Sequence, residues 1–313
     1  MTTGHHPLAG VIEKLRRADK HLIALFHEIS EYVDSTPYEL VAKRDPDNRA
    51  VMIFRVTRQP PLAFATAVGD VIANMRSALD YIAHELIKRN GCTPHPTRVQ
   101  FPICTTVRDF DNEAIANRRL CAISLFGYRL IDAMQPHQVR KGKPEAHPLW
   151  HLAKLSNLDK HRSLALSAFS LHYQWIYVGS NGRVQTVKSD KMLHHGDVAA
   201  RLPPGFNPKE TAVHGKLTCQ VAFQDPPAVD HEVIATLQHI REFIGEIVLP
   251  AVKTRFDPLP DHLRIETHGI PTEMVKEREF KGPDAPLAIV VDGKDGTVAI
   301  HSAIPQRSKR RST

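Results

Sequence analysis

Residues 61–91 read Pro61-Leu-Ala-Phe-Ala-Thr-Ala-Val-Gly69-Asp70-Val-Ile-Ala-Asn74-Met-Arg76-Ser-Ala-Leu-Asp80-Tyr-Ile-Ala-His84-Glu-Leu-Ile-Lys88-Arg89-Asn90-Gly91, and the architecture hangs on them. Apolar residues return every three or four positions. Val71, Ile72, Met75, Ala78, Leu79, Ile82, Ala83 and Leu86 therefore share one face of a helix running from about 62 to 89. Pro60 and Pro61 open it, and Asn90-Gly91 closes it. Asp70, Asn74, Ser77, Tyr81 and His84 form a narrow polar stripe opposite. Arg76 and Asp80 lie between the faces, one turn apart, as an i, i+4 ion pair. A solvated helix face is ordinarily Lys and Glu. Short amides, hydroxyls and carboxylates compete with the helix backbone, so their concentration implies a stripe that meets other polar groups, in a structural interface or a cleft.

Working outward, residues 8–33 repeat Leu8, Val11, Ile12, Leu15, Leu22, Leu25, Phe26 and Ile29 at helical spacing. Tyr38–Ala42 and Val51–Val56 read as strands around the turn Asp45-Pro-Asp-Asn48. Two shorter helices are expected at 109–119 and 123–134, and another from His147 to about Leu158. The period then changes. Leu164 to Ala168, Tyr173 to Val178, Val184 to Val187 and Lys216 to Phe223 read as strands, with a hairpin turn at Asn181-Gly182. Asp230 to about Phe256 is expected as a last long helix, kinked or ended by Pro250. A final hairpin is expected at 287–291 and 297–301 around Asp292–Gly296. The fold expectation is α+β: a long antiparallel helical bundle core with a small antiparallel β-sheet of hairpins. Residues 1–256 form the main domain, 257–304 an appendage, and 305–313 a disordered basic tail.

Composition supports a globular body, with 42% hydrophobic and 24% charged residues among 313. The net charge of +7 points to nucleic acid only until Arg307, Lys309, Arg310 and Arg311 are set aside. The tail takes four of the seven charges, and an acidic partner or anionic surface would suit it. Apolar runs fall short of the roughly 20 residues that a bilayer demands, so no membrane association is expected. The N-terminal residues show no secretory pattern. Four scattered cysteines without metal spacing suit a cytoplasmic protein.

The second informative stretch is Leu149-Trp-His-Leu-Ala-Lys-Leu-Ser-Asn157-Leu-Asp159-Lys160-His161-Arg162. An apolar helix ends there in a crowded polar rim just before a strand. His161 could exchange a proton near neutrality, and Lys160 with Arg162 could hold phosphate. The same residues could equally cap and turn the chain, with the basic groups on the helix dipole.

The motifs Gly69-Asp70-x3-Asn74-x-Arg76-Ser-Ala-Leu-Asp80, Phe101-Pro-Ile103 and Leu155-x-Asn157-x-Asp159-Lys-His-Arg162 resemble a family of uncharacterised bacterial proteins, frequent in actinobacteria. The likeness spans roughly residues 8–250 and implies no particular activity. The long helices also bear a faint likeness to HEPN-type helical ribonucleases, which pair an Arg with a His a few residues further on. Arg16/His21, Arg89/His95, Arg140/His147 and Arg255/His262 have that spacing, a low bar in a chain with 19 histidines. Arg76 and His84 stand further apart.

Nucleotide loops, a hydrolase elbow and HExxH are absent from the sequence. His147 and His151 are four apart, yet Pro148 places His147 at a helix cap, so no metal or other cofactor is expected. The residues leave open whether the chain is an enzyme. The leading expectation is a cytoplasmic binding protein whose polar cleft takes RNA or another anionic ligand. Asp70, Asn74, Asp80, Asn157, Asp159 and Lys160 would contact the ligand. Arg76, His84, His161 and Arg162 would carry any catalysis, in which case the alternative is a metal-independent ribonuclease. A scaffold with a purely structural polar cluster is the third expectation. The oligomeric state has no signature here.

Overall fold

The computed structural model describes residues 5–139, 143–178, 184–189, 192–201, 212–226, 228–263, 287–291 and 298–302. The protein is α+β. In chain order it runs α1 (Ala9–Asp34), β1 (Tyr38–Arg44), β2 (Ala50–Val56), α2 (Leu62–Arg89), α3 (Val107–Asp111), α4 (Leu125–Asp132), α5 (Pro148–His161), β3 (Leu166–Val178), β4 (Val184–Ser189), β5 (Val198–Arg201), β6 (Ala212–Phe223), α6 (Val233–Glu242), α7 (Leu249–Lys253), β7 (Leu287–Val291) and β8 (Val298–Ser302). Two compact units result. One comprises Met1–Glu28, Pro61–Leu166 and Phe223–Ile270; the other comprises Ile29–Pro60, Ser167–Ala222 and Pro271–Thr313.

The first unit is helical. α2 packs against α5 and α6, and α5 packs against α6. Apolar faces fill its interior: Leu15 and Leu22 of α1, Val71, Met75 and Leu79 of α2, Leu152 and Leu155 of α5, and Leu237 of α6 are all fully buried. At α2's C-terminus, Gly91 takes φ +76°, and its N–H bonds Lys88 O at 2.9 Å. A bidentate ion pair fastens α6 to α1, with Arg241 Nε 2.6 Å from Asp19 Oδ1 and Nη2 2.8 Å from Oδ2.

The expected long antiparallel bundle requires correction. Among the described residues only α1 and α2, with 26 and 28 residues, are long. The expected helix over 230–256 is present as one helical run from Val233 to Lys253, but its middle is not α-helical: α6 passes into a π-helical stretch at Phe243–Val248, and α7 continues directly from it. Pro250 has no N–H for the helical ladder, and the chain accommodates that loss by widening one turn ahead. Gly245 lies inside the widened turn, beneath the Arg241 guanidinium, where a Cβ would collide.

The second unit holds the sheets. A five-stranded sheet has the order β5-β2-β1-β8-β7, and a three-stranded sheet the order β4-β3-β6. The β1–β2 hairpin is antiparallel, with Leu40 opposite Phe54. Its turn is the expected one: Asn48 sits at φ +60°, a conformation asparagine tolerates, and donates to Asp45 O at 2.9 Å. β8 pairs antiparallel with β1, Leu40 facing Ile300. β5 is too short for periodicity to reveal. The turns at Asn181-Gly182 and Asp292–Gly296, and the basic tail 305–313, lie outside the described residues.

Candidate functional site

The site begins where α2 and α5 touch. A Cβ on Gly69 would fall 2.6 Å from Asp159 Oδ1, so glycine is what lets the end of α5 lie against α2. That contact brings together the two polar stretches singled out in the sequence. Further along α2, Arg76 Nη2 donates to Asp80 Oδ1 at 3.0 Å and to Phe101 O at 2.6 Å. Phe101 N–H donates to the same Asp80 oxygen at 2.9 Å. One ion pair thus satisfies both backbone groups of Phe101, whose ring is fully buried.

The next residues are held in the same manner from the other side. Gln135, 1% exposed, accepts from Cys104 N–H at 2.9 Å and donates to Pro102 O at 2.9 Å and Ile131 O at 3.1 Å. Phe101 to Cys104 belongs to neither helix nor strand, and no strand among the described residues pairs with it. Side chains from α2 and from just beyond α4 supply the partners that a neighbouring strand would give.

Between this segment, α2 and α5 lies a cleft of about 210 Å³. Its charged lining is Arg76, Asp80, Glu113, Arg119 and Lys160, joined by the amides of Gln100 and Asn157. Arg119 donates through Nε to Glu113 and through Nη1 to Gln100. Burial pushes the Asp80 carboxyl above its ordinary range, against the pull of Arg76, the Phe101 N–H, Lys160 and Arg119. Burial also pulls the Arg76 guanidinium down, opposed by Asp80; a guanidinium nevertheless stays charged, so the pair is ionic. After these bonds, Nε and Nη1 of Arg76, Nη2 of Arg119 and Nζ of Lys160 have no hydrogen-bond partner among the described residues. Three cations and two already engaged carboxylates leave the cleft with spare donors and a net positive charge.

The sequence candidates divide around it. Arg76, Asp80, Asn157 and Lys160 line the cleft. Asp159 lies on Gly69, and burial followed by the nearby Asp70 charge raises its carboxyl. Asp70 itself is exposed. Asn74 turns its amide back onto Asp70 O at 2.8 Å, which makes it a local helix bond. His84 stands beside Glu85 at 3.6 Å, away from the lining, and His161 is exposed at the end of α5. Arg162 bonds Asp225 Oδ1 at 2.7 Å while Ala165 N–H takes Oδ2 at 2.8 Å, so it clamps the exit from α5. Glu113, Arg119, Gln100 and Gln135 were not among the sequence candidates. Glu113 lies in a π-helical turn following α3, and Arg119 follows the reversal at Arg118, φ +56°; no periodic signal marks either.

Among the described residues no group of three or more His, Cys, Asp or Glu could hold a metal ion, and no helix is long and apolar enough to cross a membrane. No family model, curated protein or solved structure matches the chain.

Proposed function

We propose that the protein binds a small anionic ligand in this cleft, with a phosphate or carboxylate as the anchoring group. The supporting observation is the surplus of unpartnered donors on Arg76, Arg119 and Lys160 around one opening. Guanidinium groups already fixed by Asp80 and Glu113 lose little freedom on binding, so the site is preorganised. A volume of about 210 Å³ suits an acidic head group better than a whole nucleotide chain. The binding reading is favoured over metal-independent RNA cleavage because neither His84 nor His161 lines the cleft. The closed Arg76–Asp80–Phe101 network also supports a structural role for that pair, and the two roles coexist. We place the protein in the cytoplasm, where four unpaired cysteines are at home.

Titration calorimetry with inorganic phosphate and small carboxylates tests the reading. Lys160→Gln is expected to weaken phosphate binding about tenfold, the value of one charge-assisted contact. Its stability should shift by less than about 0.5 kcal/mol, because Lys160 is exposed. Absence of phosphate binding, or equal affinity in Lys160→Gln, contradicts the proposal. Labelled RNA incubated with the protein and EDTA is expected to stay intact; degradation lost in His161→Ala would establish the ribonuclease instead.

A further inference from the structure

α5 carries Ala153, Ser156, Asn157 and Lys160 into the cleft, and its other end rests on histidines. His147 is its N-cap: Nδ1 accepts the Leu149 N–H at 3.2 Å, ahead of Pro148 in the first turn. The His147 ring lies edge-on to Phe243 at 4.7 Å. His151, one turn on, is 8% exposed, and its Nδ1 is sealed from solvent with no partner among the described residues. The His151 ring is 5.2 Å from that of His231, on the segment leading into α6. His239 of α6 acts electrostatically on both His147 and His151.

We infer that this histidine junction is an acid-sensitive latch, which holds the cleft's α5 wall while its imidazoles are neutral and releases it when they take up protons. The chemistry follows from the geometry. A protonated His147 carries hydrogen on Nδ1 and no longer accepts from Leu149. It also sets a positive charge on the positive end of the helix dipole. A proton on His151 adds a buried charge beside His231, with no carboxylate among the described residues to receive it.

The other titratable groups facing the junction do not relieve it. Glu232 is occupied with the N–H groups of Ile234 and Ala235 as the cap of α6. On the turn at Pro136–Gln138, His137 is bonded to Asp132 at 2.9 Å; on the turn at Pro144–Ala146, Glu145 is exposed; Lys154 of α5 lies over Trp150. The charges of α2 that meet α5, Asp70, Arg76 and Asp80, do so at its opposite end. Among the described residues, the charges that act on His147 and His151 are other imidazoles.

Burial, then His239 and His151, pushes His147 down to about 4, and burial followed by His231 and His239 pushes His151 down as well. The folded affinity for protons is therefore below that of the unfolded chain, and the junction loses stability as pH falls from about 6.5 toward 4. Glu232, raised by burial, has the opposite sign; the window to examine is pH 7.5 to 5.5, where the imidazoles of an unfolded chain take up protons.

Amide hydrogen exchange, corrected for intrinsic rates, reads the latch without any ligand. Between pH 7.5 and 5.5 the opening of α5 is expected to become about tenfold more frequent, and this change should vanish in His147→Asn/His151→Gln, which keeps an N-cap acceptor and cannot titrate. Equal pH dependence in the two proteins overturns the latch. Should the double variant not fold, ring-proton titration of the unmodified protein decides: His147 staying neutral well below pH 6.5, with α5 signals following its midpoint, supports the latch, and an ordinary His147 titration overturns it. The link to the cleft rests on the anion-binding reading and is measured with sulfate, whose charge is constant over this range. Affinity at pH 5.5 should fall more than the protein lacking both histidines shows. Failure of sulfate to bind at either pH counts against the cleft, while the exchange data still decide the latch.

Discussion

Arg76→Met is expected to lower the unfolding free energy by about 3 kcal/mol and to abolish phosphate binding, while Arg76→Met/Asp80→Leu recovers stability but not binding. Arg76 is 17% exposed and Asp80 29%, so removing the guanidinium leaves a largely desolvated carboxylate with a single donor, the Phe101 N–H. The Phe101 carbonyl is orphaned at the same time. Breaking one half of such a pair costs more than the pair itself contributes, because the surviving charge keeps its desolvation penalty. Removing both replaces ions by apolar groups of similar volume, and the remaining cost is that of Phe101's two backbone groups. Urea denaturation and phosphate titration on the same three proteins check this. Full recovery of binding in the double variant would assign the pair a purely structural role.

Gln135→Leu is expected to cost a comparable amount, about 3 kcal/mol, although it touches no ligand. Three hydrogen bonds disappear from a position 1% exposed, and both Cys104 N–H and Pro102 O are left buried without partners. The segment that forms one wall of the cleft then loses its second anchor, so phosphate affinity should fall as well. Gln135→Glu separates the contributions. A carboxylate can still accept from Cys104 N–H but faces the carbonyls of Pro102 and Ile131 with no hydrogen to give. Its folded pKa is raised above the unfolded value, so the defect should shrink as pH is lowered and the protonated acid regains a donor. Denaturation at pH 7.5 and pH 5 measures the difference.

Both anchors show what the amino-acid sequence conveys and what it withholds. The bounds of α2 are legible because prolines, Asn90-Gly91 and the apolar period all act within a few residues of one another. The β1–β2 hairpin is legible for the same reason. The meeting of α2 with α5 could be anticipated from the oddly short polar side chains of α2 and the basic rim after Leu158. Gly69 is the residue that permits it. Arg119 and Glu113 could not be foreseen, because they reach the cleft through an irregular reversal rather than along a helix face. Gln135 reads as an ordinary amide until the unpaired backbone of Pro102 and Cys104 gives it work. The pairing of β8 with β1 joins residues far apart in the chain, and no local pattern announces such a partnership. His84, His161 and Arg162 were attractive by residue type. The backbone sends them to other neighbours or to solvent.

The proposed anion site rests on Arg76 and Arg119 offering spare guanidinium hydrogens in one cleft. Side-chain nitrogen NMR of ¹⁵N-arginine protein, titrated with inorganic phosphate, observes those groups one by one. The Arg76 and Arg119 signals are expected to shift saturably with a shared midpoint, while Arg241, its fork already filled by Asp19, stays still. Arg76 and Arg119 signals that do not move, or that drift in step with Arg241 without saturating, would contradict it.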